Sequence, residues 1–107
     1  MKLPSFNHLE CRFATGALTI TLSRPEVNNA MNLAMVEELS QMITLANDCQ
    51  EVRAIVLRGA GNNFCAGGDI KDMAQAQKRY HEGQQDAYYH FNRLFGQLLT
   101  LTEQSPK

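Results

Sequence analysis

No stretch of this sequence is apolar for the roughly 18 to 20 residues that a membrane-crossing helix requires. Its opening, Met1-Lys2-Leu3-Pro4-Ser5-Phe6-Asn7, lacks the apolar run of a secretion signal, so a cytoplasmic location is the expectation. An excess of either charge is missing too: ten Lys and Arg stand against eleven Asp and Glu, the formal net charge is −1 and no basic cluster stands out. That argues against nucleic acid or an anionic membrane as the main partner and leaves a small ligand or a protein. Cysteine is sparse. Cys11, Cys49 and Cys65 are odd in number and far apart, which fits buried reduced thiols better than a disulfide framework or a CxxC metal pair. Cys65 has no histidine near it in sequence to activate it as a nucleophile. His81 and His90 fall about half a turn out of phase on a helix and His8 is isolated, so no metal site is expected. A P-loop is absent, because no Gly-Lys-Ser/Thr follows a glycine-rich turn. Gly59-Ala60-Gly61 carries only the first two glycines of a dinucleotide fingerprint. Internal repeats, low-complexity tracts and a Ser-His-Asp arrangement are also missing.

What is there reads as one small α/β unit. The chain has 107 residues, 44% hydrophobic and 20% charged, within the range of a single globular domain. Residues 9–13 read as a short strand and residues 14–17 as a turn. Residues 18–22, Leu-Thr-Ile-Thr-Leu, alternate as a half-buried strand should, so the three pieces form a hairpin. Arg24-Pro25 ends it, since proline has no ladder donor and keeps its predecessor out of the helical region. A loop is expected up to Ala30, then Asn32 as the cap of a helix over 33–47. On that helix Met35, Val36, Leu39, Met42, Ile43 and Ala46 share one face, while Glu37, Glu38 and Gln41 face water. After a turn at 48–51, Ala54-Ile55-Val56-Leu57 is a continuous apolar run, the pattern of a strand covered on both faces in a parallel sheet. Strand, helix, strand predicts a right-handed crossover.

That strand empties into Arg58-Gly59-Ala60-Gly61-Asn62-Asn63-Phe64-Cys65-Ala66-Gly67-Gly68-Asp69-Ile70-Lys71-Asp72-Met73, the stretch best suited to chemistry. Gly67 and Gly68 can take positive φ and let a ligand approach the main chain, leaving the amides of residues 65–68 free to hold an oxyanion. Asp69 suits the N-cap of a short helix over 69–75. A plain strand-to-helix turn fits the same spacing. Residues 77–85 are polar, include Gly83, and read as a mobile loop. From Asp86 an amphipathic helix runs to about residue 102, stopped by Ser105-Pro106. Its aromatic residues are most simply core, with Tyr88, Tyr89 and Phe91 as alternatives for lining a pocket, and Asp86 can pair with His90. One hairpin, one parallel strand and two helices leave a sheet with an open edge, so the unit reads as unfinished.

Two segments carry a resemblance. Leu22-Ser23-Arg24-Pro25-Glu26-Val27-Asn28-Asn29-Ala30-Met31 and Phe64-Cys65-Ala66-Gly67-Gly68-Asp69-Ile70-Lys71-Asp72-Met73 resemble, in order and separation, the two signature segments of the crotonase, or enoyl-CoA hydratase/isomerase, superfamily. The resemblance implies the N-terminal part of a ββα-spiral domain over residues 1–107, ending before the segment that supplies the second oxyanion donor. It implies acyl-CoA as substrate, with coenzyme A as part of that substrate and no covalently bound cofactor, and a homo-oligomer, trimer or hexamer. The backbone amide of Ala66 matches the first oxyanion donor. Glu26, Val27, Asn28, Ala66, Gly67, Gly68, Asp69 and Ile70 match the CoA-binding positions. Relatives often carry a basic side chain where Glu26 and Val27 stand here, which leaves Arg24 as the nearest cation for CoA phosphates. The resemblance also places residues 77–85 beside the acyl pocket. It implies hydration of a 2-enoyl-CoA, with isomerisation, decarboxylation or thioester hydrolysis as other reactions of the same scaffold. A non-catalytic interaction domain, using the apolar face of the 86–102 helix, is the alternative from a different class.

Overall fold

The computed structural model describes residues 1–61, 64, 65 and 85–107, with the backbone alone described for 85–92. Strands β1 (Leu9–Ala14) and β2 (Ala17–Leu22) are followed by a 3-10 turn at Pro25–Val27, helix α1 (Leu33–Asn47), strand β3 (Ala54–Gly59) and helix α2 (Gln85–Glu103). The sheet order is β1-β2-β3, antiparallel between β1 and β2 and parallel between β2 and β3. The hairpin and the strand-helix-strand crossover are therefore as the sequence predicts.

The hairpin closes on two residues with positive φ, Thr15 at 52° and Gly16 at 81°, a backbone twist that matches the twist of the strands it joins. Gly16 does a second job. Its carbonyl accepts from the amides of Arg53 (2.7 Å) and Ala54 (3.2 Å), which seats the start of β3 against the turn. A Cβ at this position would stand 3.0 Å from Cδ of Arg53.

On β2 the alternation is complete: Leu18, Ile20 and Leu22 are buried, and Thr19 and Thr21 point to the other face. All six residues expected on the inner stripe of α1 are buried against them, together with Leu9 and Val52. Asn32 caps the helix, its side chain accepting from the Met35 amide at 2.8 Å. Helix α2 packs on α1 through buried Leu98 and the half-buried Leu94, Phe95 and Leu101. Past its end, Ser105 Oγ donates to Asn47 Oδ1 (2.6 Å) and Lys107 Nζ to the Cys49 carbonyl (3.0 Å), stitching the chain end to the end of α1.

Three expectations change. The strand at 54–57 is not covered on both faces: Ile55 and Leu57 turn toward the core, whereas Ala54, Val56 and Arg58 are exposed, Val56 at 47%. The reason is that α1 and α2 pack on one face of the sheet and, among the described residues, nothing packs on the other. Glu38 does not simply face water, because its Oε1 accepts from the His8 amide at 2.9 Å where the chain enters β1. Gln85, expected in the polar loop, is the first residue of α2. The helix expected over 69–75, the rest of the 77–85 loop and the side chains of Tyr88, Tyr89, Phe91, Asp86 and His90 lie outside the described residues.

Candidate functional site

Because β2 and β3 run parallel, with Leu22 opposite Gly59, both strands end at the same edge of the sheet. The ladder extends one step further, as the Ala60 amide donates to the Leu22 carbonyl at 2.8 Å. The chain leaving β2 and the chain leaving β3 thus emerge side by side, at the carboxyl edge where open α/β sheets bind ligands.

The segment after β2 is a tight loop. Pro25 begins the 3-10 turn, where its missing N–H costs nothing and its fixed φ is already suitable. Asn28 (φ 55°) and Asn29 (φ 58°) then take two successive left-handed conformations, and asparagine tolerates these better than most residues with a Cβ. The Asn29 amide donates back to the Arg24 carbonyl (2.8 Å) and the Ala30 amide to that of Val27 (3.1 Å), closing the loop on itself.

The side chain of Asn29 is 0% exposed, the sole fully buried polar side chain among the described residues. Both ends of its amide are used. Oδ1 accepts from the Arg24 amide at 2.8 Å, and Nδ2 donates to the Ala60 carbonyl at 2.9 Å. Arg24 Nη1 donates to the Ala30 carbonyl at 2.6 Å, across the loop's mouth. Gly61, at φ 78°, lies against Pro25: a Cβ on it would be 3.5 Å from the proline Cβ. The buried Asn29 amide thus ties together two segments far apart in sequence.

The expected site residues fall as follows. Glu26, Val27 and Asn28 are exposed on the rim of this loop. Phe64 is exposed, and Cys65 is half-buried against the core. Ala66, Gly67, Gly68, Asp69 and Ile70 lie outside the described residues. Arg24, considered from sequence as a cation for phosphate, spends at least one guanidinium nitrogen on the loop's own carbonyl. Asn29 is the residue that sequence reasoning passed over. It stood inside the quoted motif, and its signal was an Asn-Asn pair directly after a proline-initiated turn. A polar groove of about 420 Å³ lies on the open sheet face, lined in part by Arg12, Thr19, Thr21 and Arg58, and reaches Ala60.

Residues 12–102 match the family described as enoyl-CoA hydratase/isomerase. The chain belongs to that family. It is 52% identical over 63 residues to the probable enoyl-CoA hydratase echA6 of Mycobacterium tuberculosis, covering 59% of this chain and 26% of that protein. To a probable enoyl-CoA hydratase of Rhodobacter capsulatus it is 44% identical over 70 residues, 65% of this chain and 26% of that one. Among solved structures, Pseudomonas aeruginosa AtuE superposes with a TM-score of 0.86 at 46% identity, covering 94% of this chain and 38% of AtuE. This enoyl-CoA hydratase/isomerase family member thus spans about a quarter of those curated relatives and 38% of AtuE. Its fold is the mixed α/β arrangement of the family with a three-stranded, incomplete sheet.

Proposed function

We propose that this protein binds an acyl-CoA thioester and serves the hydration of a 2-enoyl-CoA in acyl-CoA catabolism. The observation that carries the reading is the meeting of the 24–30 loop with the end of β3 through Asn29 and Gly61, which sets one motif segment beside the approach to the other. In this reading the segment Glu26, Val27 and Asn28 and the 68–70 segment receive the adenine and pantetheine of CoA. The thioester oxygen meets the Ala66 amide. As water adds to the double bond, negative charge develops on that oxygen as an enolate, and an amide aimed there stabilises the transition state more than the substrate. Glycines at 67 and 68 keep the amide unobstructed.

The second amide and the glutamates that move protons belong, by family resemblance, to segments beyond this stretch. Losing one oxyanion donor costs roughly 10² to 10³ in rate and losing a general acid/base roughly 10² to 10⁴, together about 10⁴ to 10⁷ if they multiply. The 107 residues alone are therefore expected to show no hydratase activity. Coenzyme A enters as part of the substrate, with no covalent cofactor, and the assembly in this reading is a cytoplasmic homo-oligomer, trimer or hexamer. Against a non-catalytic interaction domain built on α2 stands the packing of that helix, whose Leu94, Phe95, Leu98 and Leu101 already lie against the core. Calorimetry with crotonyl-CoA on the protein as its gene encodes it tests the proposal. Binding should be micromolar to submillimolar, about 10⁻⁶ to 10⁻³ M as for ordinary enzyme substrates, and weakened by Gly67→Val. Absence of binding, or indifference to that substitution, contradicts it.

A further inference from the structure

We propose that Asn29 is a positioning residue for coenzyme A recognition: its buried amide locks the 24–30 loop to the end of β3, so that the exposed residues 26–28 are presented in one fixed place. The inference rests on the acyl-CoA reading above and adds a residue, and a role, to it. Three observations carry it. Asn29 is wholly buried, yet it lies in a surface loop whose residues 25–28 are exposed. Its two side-chain bonds point in opposite directions along the chain, one to the loop's own Arg24 amide and one to the Ala60 carbonyl thirty-one positions on. Its φ of 58° is a conformation that most residues with a Cβ resist, so the backbone is bent to aim this side chain inward. A loop that closes only on itself needs just the first bond. The second couples it to the strand.

The coupling matters because the Val27 and Asn28 amides and the Val27 carbonyl are already spent inside the loop, so what residues 26–28 offer a ligand is set by where the loop as a whole is held, and a surface held in its binding position loses less freedom on binding. Asn29→Gly accepts the same φ and removes both side-chain bonds. Asn29→Asp keeps an acceptor for the Arg24 amide and puts a carboxylate oxygen against the Ala60 carbonyl, breaking the link to the strand alone.

The test compares crotonyl-CoA with crotonyl-N-acetylcysteamine, a thioester lacking the nucleotide, on the protein as its gene encodes it. Both variants are expected to raise the calorimetric Kd for crotonyl-CoA about tenfold, the factor equivalent to about 1.4 kcal/mol. Their Kd for the truncated thioester should stay at the wild-type level. A purely structural Asn29 would weaken both substrates alike, and that result, or no change with either, overturns the proposal. Should neither variant fold, amide exchange on the unmutated protein decides. Saturating crotonyl-CoA should slow exchange at Arg24, whose amide is held by Asn29, together with that at Ala60; unchanged exchange at Arg24 overturns the proposal. Wild-type protein that fails to bind crotonyl-CoA overturns the acyl-CoA reading itself, whereas binding that is insensitive to Asn29 overturns the positioning role alone.

Discussion

Thr15 and Asn29 occupy the same left-handed region of backbone space, at φ 52° and 58°, with opposite chemistry. A β-branched residue there carries roughly 1 to 2 kcal/mol of strain, and among the described residues no side-chain hydrogen bond at Thr15 offsets it. Thr15→Asn should therefore stabilise the protein by about 0.5 to 1 kcal/mol, seen as a rise in Tm of a few degrees. Asn32→Ala should cost about 1 kcal/mol, because the Met35 amide loses its cap; urea unfolding reads this directly. Cys11 offers a chemical prediction. Burial, and then the negative charge of Glu38, push its thiol pKa above the ordinary value, so near pH 8 its thiolate is scarcer than that of a free thiol and alkylation is slow. Glu38→Gln retains an acceptor oxygen for the His8 amide while removing the charge. Iodoacetamide labelling of Cys11, followed by mass spectrometry, should speed up, yet stay slower than that of an exposed thiol because burial is the larger cause. An unchanged rate would show that Glu38 does not act on this thiol.

At the scale of elements, what was legible in the sequence is what each element says about itself. Helix α1 carries its core in its own periodicity, and so its six inward residues, its cap and its length all emerge as read. The test of that face is Leu39→Ala against Leu45→Ala. The first residue is 3% exposed and the second 42%. The expected costs are about 2 to 5 kcal/mol for Leu39 and within about 0.5 kcal/mol for Leu45, measured by denaturant midpoint. What the sequence concealed are relations between elements. The run Ala54-Ile55-Val56-Leu57 has the composition of a strand covered twice, but whether a second layer covers it depends on other parts of the chain. Glu38 sits where a helical wheel puts a solvent-facing acid, and only the path of residue 8 across the helix turns it into a hydrogen-bond acceptor. Asn29 belonged to a motif that was recognised as a pattern. Its partner Ala60 lies just past β3, thirty-one positions on, and no local rule connects the two. The two segments were visible in the sequence as patterns, and the bond that ties the first of them to the end of β3 was not.

For the molecule as a whole, the sheet decides the behaviour of these 107 residues when expressed by themselves. Among the described residues β3 is hydrogen-bonded on one side only, and the sheet face bearing Ala54, Val56 and Arg58 has nothing over it. An unpaired strand edge beside exposed valine is a template for another strand. Charge on the same face opposes this, since Glu10, Thr21 and Arg58 form one row across the sheet and Arg12, Thr19 and Val56 the next. Those charges are of mixed sign and can pair between copies as readily as repel, so they do not protect the edge as a run of lysines would. Self-association is therefore expected, with apparent mass rising between about 10 and 200 μM, a span of roughly 1.8 kcal/mol in chemical potential. Val56→Lys puts a like charge near Arg58 and Arg12 and leaves the buried side of β3 untouched. It should shift the chain toward monomer in sedimentation velocity while changing unfolding free energy by no more than about 0.5 kcal/mol, as expected for an exposed position. Wild-type chain that stays monomeric over the whole range would mean that the edge is guarded by something other than these side chains. Association that Val56→Lys leaves unchanged would mean that copies meet at another surface, the exposed side of α2 at Leu99 being the next to test.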